Sequence, residues 1–138
     1  MLDGIASPPG LLVVSRFRVP ADGFAEFAVN ARAAIAALAA CPGFVSAELG
    51  QATDDPELRI IASRWVSIGA YRRALSSYDV KLTAIPFLSH AIDEPSAYEV
   101  VHERTPESVR EAGAGLAADA GDVGLGEAAA AEVPGVVA

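Results

Sequence analysis

Cysteine, lysine and histidine are scarce in this chain of 138 residues. A single cysteine, Cys41, excludes an internal disulfide framework and a cysteine-rich zinc site. Lys81 is the one lysine, and the chain carries 18 acids against 10 lysines and arginines, a net charge of −8. Proteins that bind DNA or RNA normally present a basic surface to the phosphates, so the acidic balance argues against a nucleic-acid partner. We therefore expect a function that needs neither a polyanion nor a metal cluster.

Aromatic residues are absent after Tyr98, and residues 105–138 are rich in alanine and glycine and acidic overall. A segment without large apolar side chains buries too little surface to offset its ordering entropy. We predict an N-terminal extension at residues 1–10, one domain at 11–104, and a tail at 105–138 that is flexible or partly helical. The sequence shows no basic leader segment and no apolar run that is long enough to cross a bilayer. We therefore expect a cytoplasmic protein without a membrane partner.

Hydrophobic periodicity predicts a βαββαβ order of elements. A period of two and turn residues predict strands over Leu11–Val19, Phe44–Gln51, Leu58–Val66 and about Ser96–Arg104. The first helix would begin at Asp22 as N-cap and stop at Cys41-Pro42-Gly43, and the second would begin at the N-cap Ser67. Residues 78–91 suggest a short helix broken near Pro86.

This order is that of the α+β, ferredoxin-like split βαβ fold, a four-stranded antiparallel sheet with both helices on one face. Both sides of the first strand carry apolar groups, so the open face predicts a homodimer in which two sheets pack face to face. Charged groups expected to line or rim that interface are Arg16, Arg18 and Arg64, with Glu48, Glu99 or Glu103 as partners.

Two short motifs carry a family resemblance: Pro42-Gly43-Phe44, and Trp65-x-Ser67-x-x-Ala70-Tyr71. In this element order they resemble the antibiotic biosynthesis monooxygenase superfamily of dimeric α/β barrels, over about residues 11–104. The resemblance implies a site between sheet and helices, where members oxidise electron-rich polycyclic phenols with dioxygen and without metal or flavin. A deprotonated phenol can itself pass an electron to dioxygen, so the protein need only bind, desolvate and stabilise the anion.

Three residues are the candidate catalytic set. Trp65 offers a stacking surface and one N–H donor, although it also suits a core position between sheet and helix. Tyr71 could present its hydroxyl as an acid or donor, or simply pack in the core. The resemblance places Ser15 where some relatives carry a catalytic asparagine; serine keeps a hydroxyl but lacks the amide, and it also suits a strand as a small polar group.

These features predict a cofactor-independent monooxygenase-like enzyme that uses dioxygen as co-substrate and binds a small hydrophobic, aromatic or polyketide-like compound. One alternative is a non-catalytic ligand-binding or stress-response dimer of the same fold. A second is a haem-binding or haem-degrading relative, which is disfavoured because the second helix contains no histidine to serve as axial ligand.

His90, close to Asp93 and Glu94, could belong to a ligand cluster or an acid–base pair, but the position is more typical of a solvated or capping residue. His102 is expected to be exposed or at an interface.

Overall fold

The computed structural model describes residues 9–112, and the predictions made for residues 1–8 and 113–138 lie outside this part of the chain. The chain divides into two compact units, of which the larger is Gly10–Tyr98 and the smaller includes residues 99–112. No helix among the described residues is both long and apolar enough to cross a membrane.

The larger unit is built on a four-stranded antiparallel sheet whose strand order is β2-β3-β1-β4. The strands are β1 (Leu11–Arg18), β2 (Phe44–Ala52), β3 (Asp55–Trp65) and β4 (Ala97–Glu99). β3 pairs with both β1 and β2, so the two strands joined by the first helix are parallel and separated by one strand. This arrangement confirms the predicted ferredoxin-like fold.

Buried and more exposed residues alternate strictly along β1, and this alternation shows which face of the sheet the helices cover. Leu11, Val13, Ser15 and Phe17 are buried, whereas the residues between them are half-buried. Side chains alternate between the two faces of a strand, so these four residues form the inner face of β1, towards the helices.

The first helix, α1 (Phe24–Ala39), packs on the inner face through small residues, including Ala31 and Ala34, which are fully buried. It does not begin as predicted. Asp22 lies within a 3₁₀ turn, Ala21–Gly23, and no side chain caps that turn or α1. The prediction of Asp22 as an N-cap is wrong, because the tight turn after Pro20 carries the chain into the helix instead.

The second helix, α2 (Ile68–Leu75), begins as the sequence predicts. The Ser67 hydroxyl accepts the backbone N–H of Ala70 at 3.1 Å. A side-chain oxygen in this position satisfies one of the four N–H groups that a helix start leaves without a partner.

A π-helical turn, Val80–Ala84, follows and leads directly into α3 (Ile85–Leu88). The Ile85 N–H donates to the Val80 carbonyl, five residues back, which is the bond that defines this wider turn. Pro86 comes next and has no N–H to donate. The irregularity predicted near Pro86 therefore precedes the proline.

The chain after β4 differs from the single predicted strand Ser96–Arg104. It forms a hairpin of β5 (His102–Thr105) and β6 (Ser108–Glu111). Polar partners face each other across it, since His102 is hydrogen-bonded to Glu111 and Arg110 forms an ion pair with Glu103, and such cross-strand pairs favour a hairpin. The beginning of the predicted tail is thus a strand and not a helix, while residues 113–138 lie outside the described chain.

Candidate functional site

The inner face of the sheet carries two apolar clusters, one at each end of β1. The first surrounds Trp65 and includes Leu11, Val13 and Leu38. The second surrounds Phe17 and includes Val19, Ala31 and Ile61. The Trp65 cluster and the Phe17 cluster enclose the space between sheet and helices in which the family resemblance places a site.

Trp65 ends β3 with only 1% of its surface exposed. Its indole N–H donates to the Ser63 hydroxyl at 3.0 Å, and Phe44 meets it edge-on with ring centroids 5.3 Å apart. Ser63 is itself buried, and residues two apart on a strand share a face. The indole donor is therefore already engaged inside the protein.

Tyr71 lies on α2 beside Trp65, with ring centroids 5.4 Å apart. Burial raises the pKa of its phenol above the ordinary value of 10.0, so the hydroxyl is protonated at neutral pH, as it would be without the shift. The structure thus brings two of the three sequence-predicted site residues together.

Ser15 lies apart from this pair. It faces Ile61 of β3, between the Trp65 cluster and the Phe17 cluster, and is 9% exposed. Within residues 9–112 its hydroxyl has no hydrogen-bond partner of its own. A buried hydroxyl without a partner is costly, so this group is available to a ligand that reaches the inner face.

A pocket of about 220 Å³ opens at the Phe17 end of the layer. Its apolar wall is a triangle of phenylalanines: Phe17 on β1, Phe27 on α1 and Phe87 on α3. The ring centroids are 5.0 to 5.2 Å apart, with the rings tilted or edge-on to one another. We call this site the phenylalanine pocket. Aromatic rings in these arrangements leave faces and edges that suit another aromatic ring.

Polar and charged residues complete the rim of the phenylalanine pocket: Arg18, Glu26, Asn30 and His90. None of the three sequence-predicted site residues belongs to its lining. Ser15 is the nearest of them along the sheet, two residues from Phe17 on the same face, which is about 7 Å along an extended strand.

Sequence reasoning missed the phenylalanine pocket because its walls come from distant parts of the chain. Phe17 lies in the predicted first strand and Phe27 in the predicted first helix, and nothing local in the sequence connects them to Phe87. The π-helical turn before Phe87 adds a residue that no periodicity indicated, and it changes which side chains of α3 face the sheet.

The acidic residues near His90 do not join it. Glu94 instead makes a two-pronged ion pair with Arg16, whose Nε and Nη2 atoms each donate at 2.8 Å. Arg16 holds the pKa of the Glu94 carboxyl below its usual value, mainly through this hydrogen bond. Residues 9–112 contain no group of three or more histidine, cysteine, aspartate or glutamate side chains that could hold a metal ion.

The open face of the sheet carries the arginines that were expected at an interface. Arg16 pairs with Glu94, and Arg18 with Asp55 at 2.8 Å, so neither uses the glutamates suggested from the sequence. Glu94 is supplied by the loop before β4, and Asp55 by the first position of β3.

Comparison with models of protein families identifies one family. The model of the family described as antibiotic biosynthesis monooxygenase matches residues 10–84, more than half of the chain. Among curated proteins, none matches the chain significantly in sequence.

Solved structures share the fold. SnoaB of Streptomyces nogalater, described as a cofactor-independent oxygenase, is similar at 24% identity with a TM-score of 0.60, over 72% of this chain and 99% of that one. A conserved protein of Methanosarcina mazei Go1 is similar at 20% identity with a TM-score of 0.55, over 65% and 91% of the two chains. The protein Rv0793 of Mycobacterium tuberculosis is similar at 17% identity with a TM-score of 0.56, over 69% and 98%.

Proposed function

The chain belongs to the antibiotic biosynthesis monooxygenase family, and we propose that it is a cofactor-independent monooxygenase that oxidises a small aromatic or polyketide-like compound. The observation that carries the proposal is the phenylalanine pocket. Three aromatic rings in mutual contact form an apolar wall, and a few polar groups stand at the rim. Such a combination is typical of sites for flat, apolar ligands that carry one or two oxygen atoms.

The size of the phenylalanine pocket restricts the substrate. Its volume of about 220 Å³ is smaller than that of most pockets for drug-sized ligands, which begin near 300 Å³. We infer a substrate of one or two rings, or a larger compound that inserts one end and leaves the rest outside the mouth.

The chemistry needs only the substrate and dioxygen. A methylene carbon between two aromatic rings would become a carbonyl: one oxygen atom enters the substrate, and the other leaves as water with the two hydrogens. Deprotonation of the substrate is the step that a protein can promote without a cofactor, because the anion gives up an electron more readily than the neutral compound. A dry, preorganised pocket favours that step by stabilising the anion with fixed dipoles.

The candidate residues take separate roles in this proposal. Tyr71 lies outside the phenylalanine pocket, beside Trp65, and its protonated hydroxyl is a hydrogen-bond donor for a ligand that reaches the Trp65 cluster. Trp65 would support Tyr71 by packing against it, since its own N–H is engaged by Ser63. Ser15 does not line the phenylalanine pocket, and its buried hydroxyl would serve only a ligand that reaches further along the inner face of the sheet.

Catalysis is tested with anthrone, whose methylene carbon gains one oxygen atom, and with hydroquinone, whose oxidation to quinone inserts no oxygen and reports only electron and proton transfer to dioxygen. Both are incubated with the purified protein under oxygen, and the quinone product is followed by chromatography. Turnover of anthrone above the uncatalysed rate supports the proposal, and a lower rate in Tyr71→Phe would support a role for Tyr71. Tyr78→Phe is the matched control, because Tyr78 is 75% exposed. Turnover no faster than in buffer, for both compounds, would refute the proposal.

A second function is favoured by the engagement of Trp65. The Trp65 N–H is hydrogen-bonded within the core and its ring is buried, so neither is available to a substrate. In this alternative the protein binds an aromatic ligand without transforming it, as a ligand-binding or stress-response dimer. Binding of anthrone without turnover would support this alternative. A shift of the Soret band on addition of haem would instead support the haem-binding alternative.

We also propose a homodimer that packs through the open sheet face. Support comes from the half-buried apolar residues on that face, among them Leu12, Val14 and Ile60. Val14→Glu would place a charge in this interface and is expected to yield monomers in sedimentation experiments. Val29→Glu is the control, because Val29 is 64% exposed on α1. A wild-type monomer at micromolar concentration would contradict the proposed dimer.

A further inference from the structure

The rim of the phenylalanine pocket contains four polar residues, and the surroundings of their side chains differ. Arg18 is already paired with Asp55 at 2.8 Å. Glu26 is a carboxylate, which accepts hydrogen bonds and repels an oxyanion. Asn30 and His90 remain, and within residues 9–112 neither side chain has a hydrogen-bond or ion-pair partner.

The backbone fixes where His90 lies. Its backbone N–H donates to the carbonyl of Phe87 at 3.1 Å, and this hydrogen bond ties the histidine to a residue of the apolar wall. Two residues later, the Ile92 N–H donates to the Arg16 carbonyl of β1 at 2.7 Å. The main chain around His90 is thus tied to α3 on one side and to the sheet on the other, while the imidazole is exposed at the mouth.

Asn30 reaches the same rim from another element. It lies on α1, three residues after Phe27 of the apolar wall, and residues three apart on a helix are neighbours on its surface. Its amide can donate to an oxygen that the phenylalanine wall holds at the mouth.

An imidazole is the side chain that exchanges a proton most readily near neutral pH. We propose that His90 accepts the hydroxyl proton of a phenolic substrate bound in the phenylalanine pocket, while the Asn30 amide donates a hydrogen bond to the resulting phenolate. This assignment rests on the proposed function for its choice of a phenol as ligand. The proton moves from the phenol oxygen to an imidazole nitrogen, leaving a phenolate and an imidazolium whose opposite charges stabilise each other. No electron is transferred in this step.

The other charged groups at the rim define the electrostatic setting of the step. Glu26 comes from α1 and its carboxylate repels a phenolate, whereas the Arg18 side chain of β1 is held by Asp55 on the open face of the sheet. Because Arg18 is paired with Asp55, the His90 imidazolium is the cation of the rim left to neutralise the phenolate.

The ligand for the test is 4-nitrophenol, which titrates near neutral pH and whose phenolate absorbs visible light. Nitrobenzene, which has no hydroxyl, is the matched neutral ligand. For the wild-type protein we expect both to bind, with an increase of the phenolate absorption when 4-nitrophenol binds. A charge-assisted hydrogen bond of the usual strength predicts that His90→Gln weakens 4-nitrophenol about 10-fold to 100-fold and leaves nitrobenzene nearly unchanged.

Two further variants keep the test specific. His102→Gln removes the other histidine of the chain, which pairs with Glu111 in the hairpin, and should change neither affinity. Asn30→Asp puts a negative charge beside the phenolate and should suppress its absorption more strongly than Asn30→Ala does.

Each outcome decides a separate point. Unchanged binding of 4-nitrophenol to His90→Gln, an equal loss of affinity for both ligands, or no binding by the wild-type protein would overturn the assignment. If the binding results are as expected but anthrone and hydroquinone are not oxidised, the phenolate site stands and the proposed monooxygenase function fails. If turnover occurs and is the same in His90→Gln, the monooxygenase function stands and the role of His90 is refuted.

Discussion

Two buried serines lie on the inner face of the sheet, and replacing each of them with alanine should change the free energy of unfolding differently. Ser63, on β3, accepts the indole N–H of Trp65 at 3.0 Å. Ser15, on β1, has no such partner within residues 9–112. Both are at most 9% exposed, so replacing either with alanine removes one buried oxygen atom and little else.

The expected magnitudes follow from what each change leaves behind. Ser63→Ala leaves a buried indole N–H without an acceptor, which costs the desolvation penalty of that group, about 1–3 kcal/mol. Ser15→Ala removes a hydroxyl that is buried without a partner, so the free energy of unfolding should stay the same or rise. For a domain of this size, 1 kcal/mol corresponds to a shift of about 4–8 °C in Tm.

A double-mutant cycle isolates the bond itself. Trp65→Phe removes the donor, and Ser63→Ala should then cost much less than it does in the presence of Trp65. Urea unfolding followed by circular dichroism suits all four proteins, because Trp65 is the only tryptophan and fluorescence disappears with it. Comparison at one chain concentration removes any effect of association. Equal losses for Ser63→Ala with and without Trp65, or a larger loss for Ser15→Ala than for Ser63→Ala, would refute the reasoning.

Three further predictions concern the frame around the site. Ser67→Ala removes the cap on the Ala70 N–H and should lower stability by about 1 kcal/mol in the same unfolding assay, whereas Ser67→Asp should retain it. Gly43→Ala should cost more than about 2 kcal/mol, because Gly43 has a φ of +90° and a new Cβ would collide with that of Ala70; a loss below 1 kcal/mol would show that the turn relaxes. The pKa of Glu94 is lowered by Arg16, so the stability from this pair is present above the ordinary carboxyl value of 4.5 and is lost as the pH falls through the lower folded value. Tm measured against pH should therefore fall less steeply on the acid side in Glu94→Gln, and an unchanged profile would contradict a role for the pair.

The sequence predicted the elements whose signals are local. The alternation of β1, the Ser67 cap and the Pro42-Gly43 stop each involve neighbouring residues, and the structure confirms the fold they indicate. The engagement of Trp65 could also have been anticipated, because Ser63 lies two positions away on the same strand and therefore on the same face.

The phenylalanine pocket could not be predicted in the same way. Its three rings come from β1, α1 and α3, and no short-range pattern relates positions 17, 27 and 87. The hairpin of residues 102–111 was not predicted for a different reason: its pairing depends on polar and charged partners across two short strands, which is a weaker signal than an apolar period. The family resemblance supplied the candidate residues Trp65, Tyr71 and Ser15. A resemblance indicates which positions correspond to functional residues in relatives, but it does not indicate which side chains surround those positions in this protein.

The π-helical turn before Pro86 suggests how this pocket could have arisen. A π turn is an α-helix that has received one extra residue and has kept its backbone bonds by widening. Each residue of an α-helix advances the following side chains by about 100° around the axis. Removal of one residue from Val80–Ala84 would restore a regular helix and rotate Phe87 away from Phe17 and Phe27. A single codon inserted or lost in this turn could therefore create or abolish the aromatic wall, while the sheet on which it stands would stay the same.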